Sequence, residues 1–160
     1  MFSAMTTLTK VHVVISLIAI CAGFVVTFGL LTAKRFDGWT TLFLIMTVLT
    51  SVTGFFFPFH GFTPAIGVGI VSLVVLAVAI CARYVLKLIG RGRWIYAVTA
   101  MLALYLNVFV LIVQLFQKVP ALKALAPTQT ESPFLVAQLG LLVIFVVLTV
   151  LAAIRFRPGS

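Results

Sequence analysis

The feature that most constrains this chain is a series of long apolar stretches that contain no charged side chain. Five such stretches occur, at about 11–33, 40–57, 65–82, 95–116 and 134–154. A helix needs roughly 17–25 largely apolar residues to cross the hydrocarbon core of a bilayer. We therefore predict an all-α integral membrane protein, a single transmembrane domain over residues 1–160 built as a bundle of five transmembrane helices.

Composition excludes the soluble alternative. Of the 160 residues, 64% are hydrophobic and 8% are charged, whereas soluble domains carry roughly 45–50% apolar and about 25% charged residues. A small soluble domain buries only about two-thirds of its surface on folding, so it has no room for this much apolar area. The lipid bilayer is the solvent, and the first partner, that such a chain requires.

The basic residues predict an orientation. The formal net charge is +9, and five crossings divide the cations unequally between the two sides of the membrane. Eight lie on one side, namely Lys34, Arg35, Arg83, Lys87, Arg91, Arg93, Arg155 and Arg157, and three on the other, namely Lys10, Lys118 and Lys123. The positive-inside rule then places the N-terminus outside and the C-terminus in the cytoplasm. Because the cations flank apolar stretches and form no stripe, no binding of nucleic acid is expected.

Small and polar residues recur at helical spacing within the stretches, for example at His12, Ser16, Ala19, Gly23 and Thr27. Comparable lines run through Thr47 and Ser51, through Ser72, Ala77 and Ala79, and through Asn107 and Gln114. Helices in lipid associate through small and hydrogen-bonding faces, so these lines are predicted to turn inward. The same faces would serve a homo-oligomer or docking into a larger membrane complex.

Side chains able to bind a ligand concentrate toward the predicted outer, periplasmic end. The candidate ligand-binding residues are His12, His60, Asn107, Gln114, Gln117, Glu131 and Gln138. Pockets for lipophilic molecules are mostly apolar and contain a few placed polar groups. The leading hypothesis is accordingly a non-catalytic inner-membrane protein, either an accessory subunit or a binder of a lipophilic small molecule at its periplasmic end.

Two other functions stay open. The first is a membrane redox protein that holds a b-type haem or a quinone through His12 and His60; against haem, His60 lies in a short turn between Pro58 and Pro64. The second is a small membrane facilitator or transporter. A metal site formed by His12, His60 and Glu131 matches no known ligand spacing, so no metal is predicted. Each polar residue also has a purely structural reading, as a hydrogen-bonding contact between helices.

Missing motifs limit the chemistry. The sequence contains no CxxC, HExxH, GxSxG or GxxxxGK, so acyl, phosphoryl and thiol-based catalysis are not indicated and an enzyme is not expected. The apolar stretches contain no ionisable Asp, Glu, Lys or Arg. Because such residues mark proton relays and ion paths in membranes, proton-coupled transport is disfavoured.

Two segments that join the predicted helices support a resemblance. Residues 53–64 are TGFFFPFHGFTP and residues 118–134 are KVPALKALAPTQTESPF. Both resemble segments of small bacterial polytopic inner-membrane proteins, a group with no established activity. The resemblance implies a multi-pass protein of the bacterial cytoplasmic membrane with a shared design at its outer face, and it assigns a role to no individual residue.

Overall fold

A computed structural model describes residues 7–34, 36–56 and 64–156. Throughout these ranges the regular structure is helical and contains no β-strand. The helices are α1 (Thr7–Leu31), α2 (Asp37–Gly54), α3 (Pro64–Ile80, continued by a π-helical turn at Cys81–Val85), α4 (Arg91–Lys118), α5 (Pro120–Leu125) and α6 (Ser132–Arg155).

Among the described residues, four helices are long and apolar enough to cross a membrane. They are Thr7–Leu31, Ile66–Val85, Arg91–Lys118 and Ser132–Arg155. The prediction of an all-helical, multi-pass membrane protein is confirmed at this level. The predicted second crossing corresponds to α2, which has 18 residues and begins with the charged Asp37; it is not among these four helices.

Most helices extend beyond the predicted apolar stretches because the adjoining charged residues are helical too, whereas α1 ends at Leu31 instead of 33 and α2 ends at Gly54 instead of 57. For example, α4 begins at Arg91 instead of 95 and ends at Lys118 instead of 116. The connection predicted as a polar loop contains α5, with Pro120 in its first turn, and Pro133 lies in the first turn of α6. Proline fits there because the first amides of a helix have no intrahelical partner.

The contacts between helix ends show that successive long helices run in alternating directions. At one end, His12 near the start of α1 bonds to Thr53 near the end of α2. At the opposite end, Arg83 after α3 bonds to Asp37 at the start of α2, and Arg93 at the start of α4 bonds to the carbonyl of Ala153 near the end of α6. We call the end with Asp37, Arg83 and Arg93 the basic end, and the end with His12 and Thr53 the open end.

Small residues allow close packing in the middle of the bundle. Ala19, Ala22, Ala97 and Ala103 are completely buried, so these positions face inward. Packing at Gly23 is so close that a Cβ atom there would lie 2.5 Å from Leu104 Cδ1 and 3.0 Å from Phe43 Cε1.

Most residues of the predicted inward-facing lines are buried or partly buried, as expected. Thr27, Thr47, Ser51, Ser72 and Ala79 are buried, whereas Ala77 is exposed. The large apolar side chains on the outer surface match a lipid-facing exterior. They are most numerous on α6, where they include Val136, Leu139, Val143 and Ile154.

Candidate ligand-binding cavity

A cavity of about 620 Å³ lies between α1, α2, α3 and α4 at the open end of the bundle. Most of its wall is apolar, including Val13, Leu17, Ile20, Phe55, Val68, Leu106, Val110, Leu111 and Leu115. Its polar lining comprises Thr9, His12, Ser16, Thr50, Ser51, Ser72, Asn107, Gln114 and Lys118. We call this space the open-end cavity.

The open-end cavity is a deep space. Lys118 and Asn107 both line it and lie on the same helix, and at about 1.5 Å of rise per residue they are separated by roughly 16 Å along the helix axis. Lys118 is exposed at the end of α4, while Asn107 lies in its middle. The cavity therefore has a mouth near Lys118 and a deep end near Asn107.

His12 forms part of the wall nearer the mouth and is fixed by a bond to α2. Its Nδ1 lies 2.7 Å from Thr53 Oγ1, and the same hydroxyl donates its proton to the Leu49 carbonyl at 2.7 Å. A threonine hydroxyl has one proton, so His12 Nδ1 must be the donor to Thr53. The imidazole ring thus links α1 to α2 as well as lining the cavity.

The mouth has a positive charge. Within the described part of the chain, Lys118 has no ion-pair partner, and the cavity lining contains no carboxylate. Glu131 is occupied elsewhere, because its carboxylate accepts hydrogen bonds from Thr128 N at 3.2 Å, Thr128 Oγ1 at 2.7 Å and Thr130 N at 3.1 Å. These bonds, the Thr128 hydroxyl first, hold the pKa of Glu131 below its usual value.

The deep end is polar but uncharged. Asn107 Nδ2 donates to Thr47 Oγ1 at 3.2 Å, which links α4 to α2. Ser51 is 9% exposed and Ser72 is 4% exposed, and both line the cavity. Neither serine hydroxyl has a hydrogen-bond partner among the residues that the structure describes.

The structure brings three of the predicted site residues together: His12, Asn107 and Gln114 all line the open-end cavity. Gln117 is exposed and lies outside the lining, and Glu131 belongs to the loop before α6. Gln138 is buried between α6 and α4, where its Nε2 donates to the Phe109 carbonyl at 3.3 Å. His60 lies outside the described residues.

The metal and haem hypotheses both involve His60, which lies outside the described residues. Within the described ranges, no group of three His, Cys, Asp or Glu side chains is close enough to hold a metal ion. The predicted haem site needs His60 as its second axial ligand, so it stays a prediction.

Sequence reasoning did not single out two residues of the deep end, Ser51 and Ser72. Both belong to the inward-facing lines, and the available signal was that three such lines carry polar residues in the same half of the bundle. The sequence also predicted Arg83 to be one of the charges at the membrane interface, whereas Arg83 is buried, with 5% of its surface exposed. Its guanidinium bonds to Asp37 and lies 5.4 Å from the ring centre of Tyr96.

Comparison with known proteins adds no relative that would assign this site: no family model, no curated protein and no solved structure matches the chain.

Proposed function

We propose that this chain is a five-helix protein of the bacterial inner membrane, with its N-terminus outside, and that it binds a lipophilic small molecule in the open-end cavity. The observation that carries the proposal is the cavity itself. Its volume of about 620 Å³ falls within the roughly 300–1,000 Å³ typical of ligand sites, and a mostly apolar wall with a few polar groups is the lining such sites have.

The arrangement of α2 supports five crossings. Its ends lie at the same two ends of the bundle as those of its neighbours, as the His12–Thr53 and Arg83–Asp37 contacts indicate. Its 18 residues give a length of about 27 Å, close to the hydrocarbon thickness. Its outer side exposes apolar Ile45 and Leu49, as a lipid-facing helix requires.

The charges support the orientation. Among the described residues the basic end carries Lys34, Arg83, Lys87, Arg91, Arg93 and Arg155, and the open end carries Lys10, Lys118 and Lys123. The positive-inside rule puts the basic end in the cytoplasm. The cavity would then face the periplasmic half of the membrane.

Packing favours a binder over a facilitator. Below the cavity the bundle is filled by Phe43, Met101 and Leu104, each about 1% exposed. A transport path would need a continuous polar route across the membrane, and this apolar layer interrupts it. A cavity that ends inside the bundle suits a molecule that enters and leaves by the same mouth.

The test is to identify what the purified protein carries. The protein is solubilised from membranes in mild detergent and purified. Its bound molecules are then extracted with organic solvent and compared by mass spectrometry with bulk membrane lipid. We expect one class of lipophilic molecule to be enriched, in an amount close to one per chain. An extract with the composition of bulk lipid would contradict binding and favour an accessory subunit that carries no ligand.

A matched pair of variants makes that test specific. At Gly54 a Cβ atom would lie 3.7 Å from His12 Cε1, an ordinary contact, so Gly54→Leu should fold and fill part of the cavity; at Gly140 on α6 nothing lies within 4 Å. We expect Gly54→Leu to lose the enriched molecule and Gly140→Leu to retain it. Equal retention by both variants would place the molecule outside the cavity.

The topology has its own test. Alkaline phosphatase and a fluorescent protein, which report the outer and inner compartments respectively, are fused separately to each terminus. We expect phosphatase activity from the N-terminal fusion and fluorescence from the C-terminal one. Both termini in one compartment would contradict five crossings.

A further inference from the structure

The serine hydroxyls of the deep end differ from most other helical hydroxyls among the described residues. In the described helices, Ser16, Thr27, Thr50, Thr53, Thr99 and Thr149 each donate to the carbonyl oxygen four residues earlier. This local bond is the usual way in which a hydroxyl is satisfied inside a membrane helix. Ser51 and Ser72 make no such bond.

The burial of Ser51 and Ser72 makes this difference informative. Their residues are 9% and 4% exposed, so they have little contact with the exterior, and both line the open-end cavity. A buried polar group without a partner is unfavourable, and native structures rarely leave one unexplained. The two hydroxyls are therefore available to a molecule inside the cavity.

Asn107 adds a third donor at the same depth. A carboxamide nitrogen carries two N–H bonds, and the structure uses one of them for Thr47. Thr47 and Ser51 lie one helical turn apart on α2, so the Thr47 bond holds the Asn107 amide close to Ser51. Three helices thus each contribute one donor to the lining of the cavity.

The absence of charged side chains at the deep end limits the kind of ligand that it can bind. The ionisable residues of the lining are His12 and Lys118, and Lys118 is roughly 16 Å from Asn107 along α4. An anionic group at the deep end would be desolvated without a countercharge, which is strongly unfavourable. Neutral oxygens that accept hydrogen bonds avoid that cost, and because one carbonyl oxygen has two lone pairs, more than one such oxygen is needed to satisfy all three donors.

We propose that the deep end binds the uncharged carbonyl-bearing headgroup of a quinone-like lipid, held by Ser51, Ser72 and Asn107. The apolar tail then lies along Val13, Leu17 and Val110 toward the mouth. This inference deepens the proposed function and rests on it, because it assumes that the open-end cavity binds a lipophilic molecule.

The experiment measures equilibrium binding to the full-length protein in nanodiscs with three probes of similar length. They are a decyl-substituted benzoquinone, decylbenzene, which lacks the oxygens, and decanoate, which is anionic. We expect the benzoquinone to bind tightest. Each of Ser51→Ala and Ser72→Ala should weaken it about 3–10-fold, and the double variant about 10–100-fold, as expected for the loss of one or two hydrogen bonds.

Thr99→Ala is the matched control. Thr99 lies on α4 outside the cavity lining, and its hydroxyl donates to the Ile95 carbonyl at 2.7 Å. Its removal should change benzoquinone binding by no more than about twofold. Decylbenzene should bind equally to the natural protein and to the double variant, which also shows that the cavity of the variant is intact.

Three results would overturn the headgroup assignment and leave the binder function standing. The first is equal binding of benzoquinone and decylbenzene with no effect of the serine variants, which would mean that water satisfies the hydroxyls. The second is that decanoate binds tightest and that Lys118→Gln abolishes this binding, which would mean that an anionic group binds at the mouth. Exposed Lys123 lies outside the lining, so Lys123→Gln is the control. The third is no binding of any probe by a protein that still carries an enriched molecule. Failure of both the probes and the extraction would overturn both proposals.

Discussion

The two ends of the bundle are built from the same helices but differ in the size of the cavity that each encloses. At the basic end, buried Arg83 bonds to Asp37, Arg93 donates to the carbonyls of Ala153 and Phe156 at 2.8 and 2.6 Å, and the cavity beside Arg83 and Tyr96 measures about 10 Å³. Buried Arg83 Nε has no hydrogen-bond partner among the described residues, so the ends differ in space more than in polar pairing. At the open end a cavity of about 620 Å³ remains, with Ser51 and Ser72 unpaired among the described residues. Packing serves the fold at one end and leaves room for a ligand at the other.

The two ends also differ in the size of their buried side chains. Toward the middle and the basic end, α1 and α4 bury small residues such as Ala22, Gly23, Ala97 and Ala100. At the open end Phe55, directly after α2, lies against Gly69 of α3, where an added Cβ would be 2.9 Å from the ring. Phe55 and Gly69 both line the cavity, so this aromatic ring forms part of the cavity wall.

The largest expected effect comes from Gly23→Leu in the closely packed region. A Cβ atom alone would meet Leu104 at 2.5 Å and Phe43 at 3.0 Å, and overpacking of a filled core costs about 1–3 kcal/mol or more. We expect loss of the monodisperse peak on a sizing column in detergent. Gly140→Leu is the control. An unchanged elution profile for Gly23→Leu would show that the helices around Gly23 can move apart without loss of the fold.

Asp37→Asn should have an intermediate effect on the basic end. It leaves the buried Arg83 guanidinium without the carboxylate that it contacts. Because the Asp37 side chain is 66% exposed, water moderates the loss, and we expect destabilisation of about 1–2 kcal/mol. Thermal melting in detergent measures it, with Asp37→Glu as the charge-conserving control. Melting of Asp37→Asn at the natural temperature would mean that the pairing at the basic end contributes nothing.

The smallest effect is expected at the outer loop, through Glu131→Gln. Hydrogen bonds from Thr128 and Thr130 lower the pKa of Glu131, so its carboxylate stabilises the loop above the unfolded pKa of about 4.3, and this contribution is lost as pH falls through the folded value. We expect faster amide exchange at Thr128 and Thr130 in the variant at neutral pH, with the difference disappearing in acid. Equal exchange at neutral pH would show that the loop does not depend on this carboxylate.

Much of the fold could be predicted from the sequence because lipid imposes one simple rule. Apolar stretches without charge become helices, and four of the five predicted stretches correspond to helices long and apolar enough to span. The inward position of Thr27, Thr47 and Ser72 could be predicted from helical spacing alone. The ends were less predictable, because hydrophobicity does not register that Arg91 and Lys118 are helical.

The cavity was less predictable because it depends on which helices are neighbours. Gln114 and Gln138 have the same chemistry, yet Gln114 faces the cavity and Gln138 faces α4 from α6. No pattern within either helix distinguishes them. Whether the hydroxyls of Ser51 and Ser72 have hydrogen-bond partners also depends on their geometry. Composition and residue spacing carry no information about that geometry.

The π-helical turn at Cys81–Val85 has a consequence for the whole third helix. A turn of this kind holds one extra residue, which rotates the downstream residues by about 100° relative to an uninterrupted α-helix. Upstream of the turn, Gly69 and Ser72 keep the direction that suits the cavity; beyond its start, Arg83 is directed toward Asp37 and Tyr96. One extra residue in the last turn of the helix thus sets the direction of Arg83 at the basic end separately from that of the residues that line the cavity.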